Sequence, residues 1–160
     1  MMITTRIADY HNPQHAAVIV DLLNGYALDP MGGGAPLSDE AVQNLIPALA
    51  ALPNAFSLLA YVNDAPAGLA NCFTGFSTFA CKRLINIHDV VVTPEFRGFG
   101  VGKALFAEIE RIARAKGCCK ITLEVLSGNA PALALYAALG FGDYVLDPTL
   151  GNALFWQKAL

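Results

Sequence analysis

At 160 residues the chain fits one domain, since single hydrophobic cores commonly serve about 100 to 200 residues. Its 55% hydrophobic and 14% charged residues supply ample apolar surface for a core and exclude a disordered chain. A net charge of −3 argues against nucleic acid as the main partner.

The N-terminal residues Met1 to His11 carry Arg6, Asp9, Tyr10 and His11 and have no apolar stretch of the kind a secretion signal needs, so a cytoplasmic address is expected. Next, His15 to Leu28 places Val18, Leu22, Leu23 and Tyr26 at helical spacing, with Asn12 as a capping residue and Pro13 in the first turn. Pro30, Gly32, Gly33, Gly34 and Pro36 make Asp29 to Ser38 a loop. Ser38 begins a second helix with Asp39 and Glu40 in its first turn and Val42, Leu45, Ile46 and Leu49 on one face, with Pro47 as a point of kinking.

The longest apolar stretch, Ala48 to Val62, is interrupted by Pro53 and Asn54 and falls short of the ~20 residues that span a bilayer. No membrane partner is expected, despite a mean hydropathy of +0.47. Residues 56 to 62 read as a strand that turns through Asn63-Asp64-Ala65-Pro66 into a second strand from near Ala67. Leu84 to Val92, with its β-branched Val90-Val91-Val92, is a third strand stopped by Pro94. A glycine-rich turn leads into a helix over Lys103 to Lys116, with Leu105, Ile109, Ile112 and Ala113 on one face and Gly117 as terminator. Ile121 to Leu126 is a strand and Asn129 to Leu139 a helix ended by Gly140. Phe141 to Leu146 and Ala153 to Leu160 are expected as closing strands. This order describes a mixed α/β sheet.

Cys72, Cys81, Cys118 and Cys119 show no repeated spacing and are expected as free core thiols. His11, His15 and His88 lie far from any cysteine pair at zinc spacing, so no metal is expected. Charge is polarised: six acids against Arg6 leave residues 1–81 at −5, and residues 82–160 carry +2. A basic half suits an anionic ligand and an acidic half a cationic one.

Strand, glycine turn and helix start together form an anion-binding device. The first helical N–H groups lack partners, and the aligned peptide dipoles place about half a positive charge there. Gly98, Gly100 and Gly102 let the backbone approach phosphate oxygens, and Arg97 and Lys103 add charge. A Walker loop would need glycine and Ser or Thr where Arg97 and Ala104 stand, and a dinucleotide fingerprint would need glycine at Lys103. Both are excluded.

The segment Val92-Thr93-Pro94-Glu95-Phe96-Arg97-Gly98-Phe99-Gly100-Val101-Gly102 resembles motif A of the GNAT N-acetyltransferases, whose core reads (Q/R)xxGxG/A. Further on, Asn129-Ala130-Pro131-Ala132-Leu133-Ala134-Leu135-Tyr136-Ala137-Ala138-Leu139-Gly140-Phe141 is similar to that family's NxxAxxLYxxxGF. The resemblance implies a single GNAT domain over residues 1–160, with a mostly antiparallel sheet flanked by about four helices. It also implies acetyl-CoA as co-substrate and transfer of its acetyl group to a primary amine of a small molecule or peptide, by direct attack in a ternary complex. A homodimer is expected, since family members often pair.

Carried over residue by residue, the resemblance assigns the pyrophosphate to Arg97, Gly98, Phe99, Gly100, Val101, Gly102 and Lys103. In the family the third strand and the next one splay apart and admit the pantetheine arm, which would meet main-chain groups of Val90 and Val92 and the side chain of Asn129. An N–H near Val91 or Val92 would stabilise the oxyanion. Asn129 equally suits an ordinary helix cap.

Tyr136 is expected to protonate the departing thiolate, a phenol being a weak acid near pKa ~10. Glu124, as in ribosomal-protein alanine acetyltransferases, is one candidate base; an exposed sheet position is the alternative. His88 and Asp89 compete for the role, because Ile87-His88-Asp89-Val90 resembles diamine (spermidine/spermine) acetyltransferases, where an acidic pair stands. His88 replaces the first acid, which weakens the case for a polyamine. Tyr26 and Asp29 are candidate acceptor contacts. An acyl-CoA sensor without turnover is the competing reading, and retention of Tyr136 favours the enzyme.

Overall fold

The computed structural model describes residues 1–160 and divides them into two compact units, Met1–Glu124 and Val125–Leu160. In the first unit β1 (Ile3–Ile7), β2 (Ala55–Val62), β3 (Ala65–Ser77), β4 (Lys82–Val92) and β5 (Ile121–Leu123) form one sheet in that order. Neighbours run antiparallel except β4 and β5, which are parallel. The helices of this unit are α1 (Pro13–Leu28), α2 (Asp39–Ala51) and α3 (Val101–Ala115). The second unit contains α4 (Ala130–Ala138). No helix is long and apolar enough to cross a membrane.

Local chemistry sets these boundaries. Asn12 Oδ1 accepts from the N–H groups of Gln14 and His15 at 2.9 and 3.3 Å, satisfying donors that the start of α1 leaves unpaired. Ser38 Oγ does the same for Ala41 at 3.1 Å, and α2 continues through Pro47. The β2–β3 hairpin turns on Asn63 and Asp64, with φ of 48° and 66°, the left-handed pair that a two-residue turn needs to match strand twist.

Side chains alternate across the sheet, so register decides which face each one serves. Leu59, Leu69 and Val91 lie opposite one another on β2, β3 and β4 and pack with Ile19 and Leu22 of α1. The next row, Ala60, Gly68 and Val92, faces the other way. There α3 comes so close that a Cβ on Gly68 would stand 3.0 Å from Val101 Cγ1 and 3.0 Å from the Val91 carbonyl oxygen. Gly68 thus sets how near the first turn of α3 sits to the sheet.

One irregularity positions the site. Asn71 pairs with Asp89 and Cys72 with Ile87, so His88 is an extra residue, a β-bulge in β4. The β4–β5 ladder covers Ile85 to Ile87 against Ile121 to Leu123 and ends where the bulge begins.

Several expectations need correction. Residues 141–146 and 153–160 form no strands; they meet at one backbone hydrogen bond, Ala153 N–H to Tyr144 O at 3.0 Å, beside a 3₁₀ turn at Pro148–Leu150. Gly142 weakens the first of these segments as a strand, while Pro148, Gly151 and Asn152 lie between the two segments, where Asn152 Nδ2 donates to Asp143 Oδ2 at 3.0 Å. The strand expected to reach Leu126 stops at Leu123. The helix expected from Lys103 begins two residues earlier, which brings Val101 and Gly102 into α3. All four cysteines are free, but only Cys72 is buried; Cys81 and Cys119 are exposed. Burial, then the charge of Asp89, pushes the Cys72 thiol up to about 12, so it remains protonated and unreactive.

Candidate active site

The glycine turn joins β4 to α3. Gly98 and Gly100 adopt φ of 80° and 90°, left-handed values that L side chains rarely take. A Cβ on Gly98 would meet nothing within 4 Å, so backbone conformation and not packing demands glycine there. Gly100 is the N-cap of α3 and offers no side chain to its first turn. The opening N–H groups of α3 are therefore uncapped, with positive dipole end and Lys103 beside them. Phe99 is exposed on the same turn.

Arg97 does more than add charge. Its Nε donates to the Val92 carbonyl at 3.1 Å and its guanidinium pairs with Asp29 Oδ2 at 3.1 Å. Val92, whose main-chain groups the resemblance assigns to the pantetheine arm, thus has its carbonyl held by Arg97 in this structure. Asp29 follows the last residue of α1; the Met31 N–H first, and Arg97 next, hold its carboxyl below the usual carboxylate range. One residue expected at the donor and one expected at the acceptor are therefore ion-paired, across 68 positions of sequence.

Behind this pair lies a cleft of about 290 Å³, lined by Asp21, Gly25 and Asp29 on the α1 side and by Val91, Thr93 and Arg97 on the β4 side. Thr93 Oγ1 is buried with no hydrogen-bond partner, a polar atom that a ligand group would satisfy. Gly25 is mid-helix, and a Cβ there would meet nothing. Gly25→Ala should therefore stabilise the fold by about 0.5 to 1 kcal/mol through helix propensity. Urea titration checks this; a lowered midpoint would show that the glycine is required.

The bulge brings consecutive residues to one face. Asn71 and Phe73 are two apart on β3; Asp89 accepts from Asn71, and the His88 ring meets Phe73 edge-on at 5.7 Å between centroids. A regular strand would send His88 and Asp89 to opposite faces. Tyr26 of α1 lies on that same face: burial first, then the charges of Asp89 and Asp29, raise its phenol pKa, so it stays neutral. Tyr26, Asp29 and Asp89 are thus brought together, with His88 exposed beside them.

Glu124 is exposed just past β5, at the end of the first unit. In the second unit, Asn129 caps α4 by accepting from the Ala132 N–H at 3.3 Å. Tyr136 is buried on that helix, its ring 6.1 Å from that of Phe141. Sequence reasoning missed Tyr10, Ser57, Asn71 and Thr93, although Ser57 and Asn71 signal themselves as polar residues in otherwise apolar strands.

A mixed sheet that opens after a bulge, beside a glycine turn that starts a helix, belongs with the acyl-transfer folds. The sequence matches the acetyltransferase (GNAT) family over residues 19–141, and the chain belongs to that family. It is 41% identical to thialysine N-epsilon-acetyltransferase of Bos taurus over 61 residues, 38% of this chain and 36% of that protein. It is 36% identical to streptothricin acetyltransferase of Streptomyces lavendulae over 90 residues, 55% of this chain and 48% of that protein. The chain thus spans about a third to a half of the curated relatives it matches. An aminoglycoside N-acetyltransferase solved in complex with CoA shares the fold, with a TM-score of 0.73 and 20% identity over 99% of this chain and 96% of that one.

Proposed function

We propose that this chain is an acetyl-CoA-dependent N-acetyltransferase that acetylates a primary amine of a small molecule or peptide by direct attack in a ternary complex. The observation that carries this reading is the uncapped start of α3, with Gly98 and Gly100 left-handed and Arg97 and Lys103 at the turn's two ends. The orphaned Thr93 Oγ1 and the end of the β4–β5 ladder at Ile87 add support. So do relatives named for amine acceptors and a structural neighbour solved with CoA.

Acetyl-CoA would supply the acetyl group as a thioester. N–H groups from Gly98 to Lys103 would hold its pyrophosphate, with Phe99 and Val101 forming the rest of the turn. Main-chain groups of Val90, Val91 and Val92, with Asn129, would hold the arm that carries the thioester, and an N–H near Val91 or Val92 would stabilise charge on the carbonyl oxygen. Asp89 would hold the positive charge of the amine, between Tyr26 and Asp29, and His88 would take the proton that makes it nucleophilic. Glu124 is the competing proton acceptor. Tyr136 would return a proton to the departing thiolate. Residues 1–160 would work as one such domain, and exposed Leu154, Phe155 and Trp156 support its pairing as a homodimer.

The test is release of free thiol from acetyl-CoA across thialysine, streptothricin and an alanine-ended peptide. Amine-dependent release is expected; bound acetyl-CoA with no release on any amine would overturn the enzyme in favour of a sensor. Gly100→Val probes the turn itself. A non-glycine residue at φ of 90° costs about 1 to 2 kcal/mol, so acetyl-CoA should bind roughly tenfold more weakly. Isothermal titration measures this, and unchanged affinity would remove the turn from the donor site.

A further inference from the structure

Ser57, Asn71 and Asp89 stand opposite one another on β2, β3 and β4, two residues along from Leu59, Leu69 and Val91 and on the same face of the sheet. Where the neighbouring row is apolar, this one is polar, yet Ser57 is fully buried and Asn71 only 3% exposed. A buried polar group is tolerated when its hydrogen bonds are made, and here they run in one line. Ser57 Oγ donates to Asn71 Oδ1 at 2.6 Å, and Asn71 Nδ2 donates to Asp89 Oδ2 at 3.0 Å. Because Ser57 spends its one hydroxyl hydrogen on Asn71, the Tyr10 hydroxyl, 2.9 Å away, must donate to Ser57. Every hydrogen in the line points toward Asp89.

A purely structural network closes on itself within the core. This one ends on a half-buried carboxylate next to the bulge residue His88, two residues beyond the end of the β4–β5 ladder and facing Tyr26. A chain of donors that ends on one carboxylate oxygen fixes that group's orientation and leaves its other oxygen to meet a cation. We propose that Asn71, backed by Ser57 and Tyr10, is a positioning residue that holds Asp89 by Oδ2 and leaves Oδ1 to receive the acceptor's ammonium group. The inference rests on the acetyltransferase reading above. It assigns the buried row to acceptor binding and leaves the donor to the glycine turn.

The experiment measures steady-state thiol release with thialysine, streptothricin and the alanine-ended peptide, for wild type, Asn71→Leu and Ser57→Ala. Asn71→Leu keeps the number and branching of side-chain heavy atoms and removes the donor. The KM for the best amine should rise about tenfold or more, the range for a lost hydrogen bond to a charged group, while the KM for acetyl-CoA and kcat stay near wild type. Ser57→Ala leaves the Asn71 donor but releases its amide, and should move the amine KM the same way by a smaller factor. Both Michaelis constants rising together, or a lower melting temperature with unchanged kinetics, would make the row structural and overturn the proposal. If Asn71→Leu does not fold, Ser57→Ala decides on the same readouts. No release by wild type on any amine would sink the acetyltransferase reading and this inference with it; normal wild-type release with an unmoved amine KM in the variants sinks only the inference.

Discussion

Tyr136→Phe is expected to lower kcat for amine acetylation by about 10²- to 10⁴-fold, the usual worth of a positioned proton donor. The change removes one oxygen and keeps the ring, so the contact with Phe141, 6.1 Å between ring centroids, persists. Acetyl-CoA affinity should persist as well, because the pyrophosphate is assigned to the turn on α3 and not to α4. Thiol release at saturating donor and amine gives the answer. A kcat equal to wild type would reduce Tyr136 to a buried aromatic on an apolar helix.

The second large effect falls on stability. Leu69→Ala should cost about 2 to 5 kcal/mol, because the residue is fully buried between Leu59 and Val91 under Ile19 and Leu22, and the cavity left behind cannot collapse onto a flat sheet. For a chain of this size each kcal/mol shifts the melting temperature by roughly 2 to 4 °C, so a drop of about 4 to 20 °C is expected by calorimetry. A drop of under about 2 °C would show that α1 does not depend on this row for its seat.

The elements that local rules govern were legible in the sequence. Asn12 and Ser38 mark their helix starts by side-chain chemistry alone, Asn63-Asp64 specifies its hairpin, and the apolar spacing of Leu105, Ile109 and Ile112 sets the face that α3 buries. The glycine turn was legible for the same reason, since left-handed backbone at Gly98 and Gly100 is a property of those residues themselves. Features that depend on how distant segments align were not. The bulge at His88 exists only relative to β3, and without it His88 and Asp89 read as facing opposite sides. The ion pair of Arg97 with Asp29 joins two ends of the first unit, and no local pattern announces it. Ser57 and Asn71 look like interruptions in apolar runs until strand register places them in one line with Asp89. The expected closing strands fail for a related reason: apart from Gly142 nothing in residues 141–146 or 153–160 breaks a strand, and whether a segment finds a partner to pair with is not written in its own residues.

Gly68 carries a consequence for how the two halves of the proposed reaction could vary. By admitting α3 to within van der Waals distance of β3 and β4, it seats the proposed phosphate cradle on the sheet itself, so donor capture would be built in when the core forms and would need no loop to be ordered on binding. The face opposite, where Tyr26, Asp29 and Gly25 belong to α1 and its end, is joined to that cradle through one exposed ion pair. On the proposed function, substitutions along α1 would therefore redraw which amine is accepted while the means of taking up the acetyl donor stayed as it was.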